Sequence, residues 1–219
     1  MVTLEDIKKN ELVGAYLKRA DEQLGVIGYT EHGPRHADLV AHIAYNVLSR
    51  LERTEREAQL AAIAGYLHDI GNVVSRVDHA QTGAIIAQSI LADMGMSPDE
   101  YTGIMAAIGN HHEQDGNPVS DIAAALILAD KSDVHKTRVR NPELIKFDIH
   151  DRVNYAAQNS FLRVDGERRA LTLEVTIDTD ISPVMEYFEI FLSRMVIARR
   201  AADFLGCAFE LLINGIRLF

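Results

Sequence analysis

Two of the most apolar stretches of this chain each end on an aspartate. AAIAGYL (61–67) runs directly into His68 and Asp69, and IAAALILA (122–129) runs directly into Asp130. Stretches this rich in alanine and leucine predict buried helices. A carboxylate at the end of a buried helix is costly unless a cation, strong hydrogen-bond donors or a metal accompanies it, and the helix dipole opposes it there. The fold must therefore bring positive charge to these helix ends.

Apolar residues recur at helical spacing through the first two thirds of the chain. The segment that contains HDIG is expected to end at Gly71, because glycine is a common C-terminal cap. This part of the chain predicts a bundle of helices. The predicted helices cover residues of about 3–20, 36–51, 56–71, 79–95, 97–112 and 120–136.

The pattern changes near residue 155. Two runs rich in β-forming residues flank the Asp-Gly pair at 165–166, and two more flank the Asn-Gly pair at 214–215, which are both turn signals. A long amphipathic helix is predicted between them, over 182–206. We expect a mainly α fold, with a helical core over 1–154 and a small β-β-α-β-β region over 155–219 that contributes to oligomerisation.

The composition narrows the class of function. A formal net charge of −10 argues against a general binder of nucleic acid or anionic membranes, although a local cation or metal still suits a small phosphorylated substrate. The one cysteine, Cys207, forms no internal disulfide, and the longest apolar run has eight residues, too short to span a bilayer. The N-terminus lacks the apolar core of a signal peptide. We expect a cytoplasmic protein.

Seven of the nine histidines lie between His32 and His112, and most of them fall at predicted helix ends. A single histidine on a helix is more often a solvated or core residue than a ligand, but several helix ends of a bundle can converge on one pocket. Imidazole and carboxylate ligands suit Fe, Mn, Zn, Co or Ni without choosing among them. The candidates exceed the needs of one ion, which favours two ions bridged by a carboxylate. The candidate metal ligands are His36, His68, Asp69, His79, His111, His112 and Asp130.

The order of these residues resembles the H…HD…D signature of the HD-domain superfamily of metal-dependent phosphohydrolases. The resemblance covers about residues 30–140 and includes PRHADLVAHIA, LHDIG, DHAQTGA, NHHEQDGNP and ILADKSDVHKTRVR in family order. It implies an HD-type helical core that holds a first metal through four residues, with Asp69 bridging to a second metal. The residues implied for the first metal are His36, His68, Asp69 and Asp130, and those for the second are His79, His111 and His112.

The sequence does not choose among phosphomonoesters, phosphodiesters and nucleotides as the substrate. HHEQDG is similar to the HHExxDG segment of the HD-GYP cyclic-di-GMP phosphodiesterases, but Gly-Tyr-Pro is absent and Asn72 stands where those enzymes carry a lysine. The dinucleoside-tetraphosphate hydrolases of the superfamily carry an arginine soon after the late aspartate, as Arg138 and Arg140 follow Asp130 here.

We therefore expect a binuclear phosphohydrolase in which a metal-bridged hydroxide attacks phosphorus. Its catalytic residues would be His68, Asp69 and Lys131. Lys131, His135 and Arg138, from the densest basic run of the chain, would bind the substrate, although such a run also suits a solvated helix end.

The expected cofactors are two divalent transition-metal ions, with Fe or Mn favoured over Zn, Co or Ni. The expected partners are a small phosphorylated molecule, for which a nucleotide is one candidate, and a second copy of the chain in a homodimer. The alternative to an enzyme is a regulatory module that binds metal and a nucleotide with little turnover.

Overall fold

Helices make up most of the chain in the computed structural model, which describes residues 1–219 except for the side chain of Leu144. Short turns of 3-10 helix cover Ile70–Val73, Lys136–Arg138 and Pro142–Leu144. The α-helices are α1 (Leu4–Lys9), α2 (Glu11–Val26), α3 (Pro34–Arg50), α4 (Glu55–Leu67), α5 (His79–Asp93), α6 (Pro98–Gly109), α7 (Asp121–Ser132), α8 (Ile149–Ala156) and α9 (Val184–Phe204).

A small sheet follows α8, and α9 connects its two halves. Its strands are β1 (Ala157–Asp165), β2 (Ala170–Ile177), β3 (Ala208–Ile213) and β4 (Ile216–Arg217). They lie in chain order across the sheet, with β2 and β3 parallel and the outer pairs antiparallel. The predicted Asn-Gly turn is confirmed, since Asn214 and Gly215 both have positive φ, at 51° and 77°. The predicted mainly α fold with a β-β-α-β-β region is therefore confirmed.

Helix α7 lies at the centre of the fold. It contacts α3, α4, α6, α9 and β1. Ser120 caps it by accepting from the Ala123 N–H, and every residue of 123–132 is buried. This burial explains the continuous apolar run seen in the sequence, and it carries Asp130 into the interior.

The prediction of one helix over residues 3–20 is wrong. Asn10 ends α1 and caps α2, because its side-chain oxygen accepts from the Leu12 and Val13 N–H groups. Asparagine competes for backbone donors in this way, which makes it a better cap than an interior helix residue.

Buried apolar side chains from both parts of the chain share one cluster, which includes Ile127 of α7, Leu171 of β2 and Phe191 of α9. The division between residues 154 and 155 and the homodimer stay predictions. None of the helices in the described part of the chain combines the length and apolarity that a membrane crossing requires.

Candidate metal centre

Four ligand-type side chains converge where α3, α4 and α7 meet, and we call them the first ligand group: His36, His68, Asp69 and Asp130. The Nε2 atoms of His36 and His68 are 3.3 Å apart. Asp69 Oδ2 lies 3.3 Å from His68 Nε2 and 3.7 Å from His36 Nε2. Asp130 Oδ1 lies 3.6 Å and 3.4 Å from the same two nitrogens. All four residues are buried.

The two histidines of this group turn the Nε2 lone pair inward. His36 Nδ1 donates to Asp133 Oδ2 at 2.7 Å, and His68 Nδ1 donates to the Gly65 carbonyl at 2.8 Å. A neutral imidazole protonated on Nδ1 carries its lone pair on Nε2. Lone pairs that face each other and two carboxylates repel unless positive charge lies between them. Metal-binding histidines are commonly held through the other ring nitrogen in this manner.

The electrostatics of the group point to a cation at its centre. Burial by itself would lower the pKa of His68, but the carboxylates of Asp69 and Asp130 outweigh burial and raise it to about 10. Burial would raise the pKa of both carboxyls, yet nearby positive charge, chiefly from His68 for Asp69 and from Lys131 for Asp130, holds each well below its usual range. A divalent ion would meet this demand for positive charge more fully than one proton.

The spacing of the ligand atoms fits a transition-metal ion. Ligand atoms about 2.0–2.2 Å from an ion lie about 2.8–3.6 Å from their neighbours in octahedral or tetrahedral geometry. The two histidine Nε2 atoms lie 3.3 Å apart, and each lies 3.3 to 3.7 Å from a carboxylate oxygen of Asp69 and of Asp130. Small side-chain movements would close the group on an ion.

A second ligand group shares two members with the first and consists of His68, Asp69, His79 and His111. Ligand atoms of His68, Asp69 and His111 lie within 4.8 Å of one another. His79 Nε2 lies 3.5 Å from Asp69 Oδ1, the oxygen that the first group does not use. His79 and His111 each donate Nδ1 to a backbone carbonyl, at 3.1 and 2.6 Å. Burial lowers the pKa of both rings, that of His79 to about 4, which keeps them neutral.

Two further histidines flank these groups. The His112 ring lies 5.1 Å from the His79 ring, and its Nδ1 is 3.5 Å from Asp115 Oδ1. His32 is buried beside His36, with 5.5 Å between the rings, and its Nδ1 lies 2.7 Å from the Thr30 carbonyl. The structure thus places the predicted ligand His112 at the edge of the second group.

Gly71 brings the two groups together, although not as the predicted helix cap. Helix α4 already ends at Leu67, so the cap prediction is wrong. A Cβ atom on Gly71 would overlap the His79 carbonyl oxygen and would lie 2.5 Å from the Gly83 nitrogen. Only glycine lets the start of α5 approach the turn after Asp69 this closely.

Lys131 is buried between two carboxylates. Its ammonium lies 2.5 Å from Asp130 Oδ2 and 2.8 Å from Glu113 Oε2. Arg194 of α9 lies on the other side of Glu113, with Nε 3.7 Å from Oε1. Burial would raise the pKa of Glu113, but Lys131 and Arg194 hold it well below its usual range. A chain of alternating charges therefore runs from α9 to the first ligand group.

The other predicted substrate-binding residues lie behind the centre or away from it. Arg138 is buried, and it donates to the Asp133 carbonyl at 2.8 Å and the Glu31 carbonyl at 3.1 Å. His135 Nε2 lies 2.9 Å from the Gln158 carbonyl, against β1. In this arrangement Arg138 supports the backbone around Asp133.

A cavity of about 610 Å³ adjoins the second ligand group. His79 and His112 form one part of its wall, and α8 and α9 form another. Two arginines that the sequence interpretation missed also line it. Arg76 lies with Nη1 3.4 Å from His79 Nε2 and 3.8 Å from Asp69 Oδ1, and Arg194 comes from α9. Arg76 could have been identified from its position three residues before His79. The direction in which Arg194 points depends on how α9 packs, which the sequence does not show.

Comparison with known proteins finds a matching family model and similar proteins. A predicted HD superfamily hydrolase of an uncultured Thermotogales bacterium, known from a crystal structure, is 26% identical and superposes with a TM-score of 0.46 over 57% of this chain and 68% of that chain. An uncharacterized protein of Methanocaldococcus jannaschii is 29% identical over 80% of this chain and 76% of its own length. The family model described as HD domain matches residues 35–155, more than half of the chain and all of the two ligand groups. The chain belongs to the HD domain family.

Proposed function

We propose that this protein is a metal-dependent phosphohydrolase that holds two divalent ions and acts on a small phosphorylated molecule. The convergence of His36, His68, Asp69 and Asp130, with both imidazole lone pairs turned inward, is the observation that carries the proposal. Membership of the HD domain family supports it.

Each ion would be held by one ligand group, with the single Nε2 lone pair of His68 binding the first ion and Asp69 shared by both. The first group supplies two imidazoles and two carboxylate oxygens, and Asp69 offers its second oxygen to the second group. His79 and His111 complete that group, with His112 at its edge. Divalent ions in such a pair activate water and withdraw charge from a phosphoryl group.

The chain's own residues would hold these ligands in place. Asp133 fixes the ring of His36, and the Gly65 carbonyl fixes the ring of His68. Lys131 binds the oxygen of Asp130 that faces away from the two histidines. We propose that this ammonium keeps Asp130 ionised and oriented, which leaves contact with the substrate to residues of the cavity.

The cavity suits a substrate of modest size. Its volume of about 610 Å³ falls within the range of about 300–1,000 Å³ that is usual for small-molecule sites. Tyr29 and Phe191 offer aromatic surface, and Arg76 and Arg194 offer positive charge. The same lining includes the carboxylates of Asp78, Glu113, Asp115, Asp148 and Asp151. A nucleotide or a similar phosphate ester would bind with its phosphate toward the two ions and the arginines, away from these carboxylates, and with its organic part against the aromatic surface.

The test is to measure metal content and phosphate release together. Protein purified without chelator is analysed for metals and then screened against phosphomonoesters, phosphodiesters and nucleotides with Mn²⁺ or Fe²⁺. We expect about two equivalents of metal and hydrolysis of at least one ester class, both lost in His68→Ala/Asp69→Ala. The exposed His42 of α3 gives the control variant His42→Ala, which should retain both.

Full hydrolytic activity in the double variant would refute the proposal. Bound metal and tight nucleotide binding without product after long incubation would instead favour a regulatory module.

A further inference from the structure

Arg194 has a partly exposed side chain whose guanidinium makes no hydrogen bond to the described residues of the protein. Its side chain is 19% exposed, and the group lies 4.6 Å from the Phe191 ring centroid. Its nearest carboxylate contact is the 3.7 Å approach of Nε to Glu113, which is longer than a hydrogen bond. Throughout the part of the chain that the structure describes, no hydrogen bond of this guanidinium is found.

Glu113 does not satisfy the hydrogen-bond donors of Arg194. The carboxylate is already bound by Lys131 at 2.8 Å through its other oxygen. A guanidinium carries five N–H donors, and one stacked on an aromatic ring keeps the donors at its edge available. Donors in the wall of a cavity that bond to no protein group are free to bind a ligand rich in acceptor oxygens.

The cavity gives Arg194 access to such a ligand. Arg194 and Phe191 line the same cavity as His79 and His112 of the metal centre. Arg76, on the loop before α5, lines the same cavity and is likewise placed over an aromatic ring, at 5.3 Å from the Tyr29 centroid. Arginine matches the oxygen geometry of a phosphoryl group through paired N–H donors.

We infer that Arg194 binds the phosphoryl group of the substrate, so that helix α9 completes the site. The inference rests on the proposed function for the identity of its ligand. It assigns a role to helix α9, which lies beyond the segment that the family model matches. The HD segment alone would hold the metals but would lack this cation.

A purely structural role is the competing explanation, since Arg194 also approaches Glu113 and, through Lys131, Asp130. Under that explanation, loss of Arg194 would weaken metal binding or folding, and phosphate affinity would fall only in proportion. The experiment must therefore measure phosphate binding, metal content and thermal stability on the same variants.

The experiment titrates inorganic phosphate into the full-length, Mn²⁺-loaded protein by calorimetry, without turnover. The variants are Arg194→Gln, Arg194→Lys and the control Arg199→Gln. Arg199 lies on the same helix and also stacks on an aromatic ring, that of Phe219, but it is exposed and outside the cavity. The KM and kcat of any ester that the wild type hydrolyses are measured in parallel.

We expect Arg194→Gln to raise the phosphate Kd at least about tenfold, as loss of a charged hydrogen-bonding partner does. Metal content and Tm should stay close to wild type, and KM should rise more than kcat falls. Arg194→Lys should recover part of the affinity, because the charge remains without the paired donors. Arg199→Gln should change the Kd less than twofold.

A phosphate Kd within twofold of wild type in Arg194→Gln would overturn the inference, as would a loss of phosphate binding that tracks a loss of metal. Failure of the wild type to bind phosphate would overturn it as well. If no ester is hydrolysed but Arg194→Gln still weakens phosphate binding, the proposed function fails while the role of Arg194 stands. Should hydrolysis occur with KM unchanged in Arg194→Gln, the role of Arg194 alone fails.

Discussion

The carboxylate of Asp133 accepts the Nδ1 hydrogen of His36 at 2.7 Å, on the side of the ring away from the first ligand group. Asp133 is itself held by Arg35 at 2.9 Å and is almost fully buried. Burial would raise its pKa, but Arg138 and His36 hold that pKa far below its usual range. Asp133 therefore stays ionised and fixes both the orientation and the tautomer of His36.

Replacement of Asp133 should weaken metal binding without removing a ligand. In Asp133→Asn the charge that orients His36 is lost, and partners of this kind typically contribute about 10–100-fold to metal affinity. We expect the metal Kd to rise within that range, as measured by competition with a chelating dye. The control is Asp38→Asn. Asp38 lies on the same helix as His36, and its exposed carboxylate pairs with Lys8, so this substitution should leave the metal Kd unchanged. Equal metal affinity in Asp133→Asn and wild type would contradict the orienting role.

The metal centre and the sheet show which features of the structure could be predicted from the sequence. Asp130 follows eight apolar residues, and this pattern alone required a buried carboxylate with a cationic partner. The turn signals at 165–166 and 214–215 predicted the strand pairs because turn chemistry is local. The sequence could not place Arg138 or Arg194, because the burial of one and the facing of the other depend on packing between distant segments.

Two glycines should respond in opposite directions to the same substitution. Gly71→Ala places a methyl group on top of the His79 carbonyl oxygen, and relief requires the backbone of α5 to move. We expect a loss of stability of about 3 kcal/mol or more, together with weaker metal binding. Gly14 lies inside α2, and no atom lies within 4 Å of the position that a Cβ would occupy, so Gly14→Ala should stabilise by about 0.5–1 kcal/mol. Chemical denaturation of both variants measures these changes, and a Gly71→Ala protein as stable as wild type would contradict the close approach.

Removal of metal should lower the stability of the folded protein. The first ligand group gathers two carboxylates around two inward-facing Nε2 atoms, and without an ion the positive charge between these carboxylates is the single proton that the raised pKa of His68 retains. An ion at about 100 times its Kd contributes about 2.7 kcal/mol. We expect a chelator to lower Tm and added Mn²⁺ to restore it. His68→Ala/Asp69→Ala should show little response to either treatment, and an equal chelator response in that variant would place the stabilising ion elsewhere.

Substitution of Arg138 and of His135 should show whether these two residues support the fold or bind the substrate. Arg138 is 2% exposed and donates to the Asp133 and Glu31 carbonyls, so Arg138→Gln leaves buried acceptors without their donor, while the Asp133 carboxylate keeps Arg35 and His36 as partners. Leaving a buried acceptor unpaired costs about 1–3 kcal/mol, and we expect a loss of that size in denaturant unfolding. His135→Gln keeps a donor for the Gln158 carbonyl, and we expect KM within twofold of wild type because His135 lies outside the cavity. A large rise in KM for His135→Gln, with stability unchanged, would instead restore the substrate-binding role that the basic run first suggested.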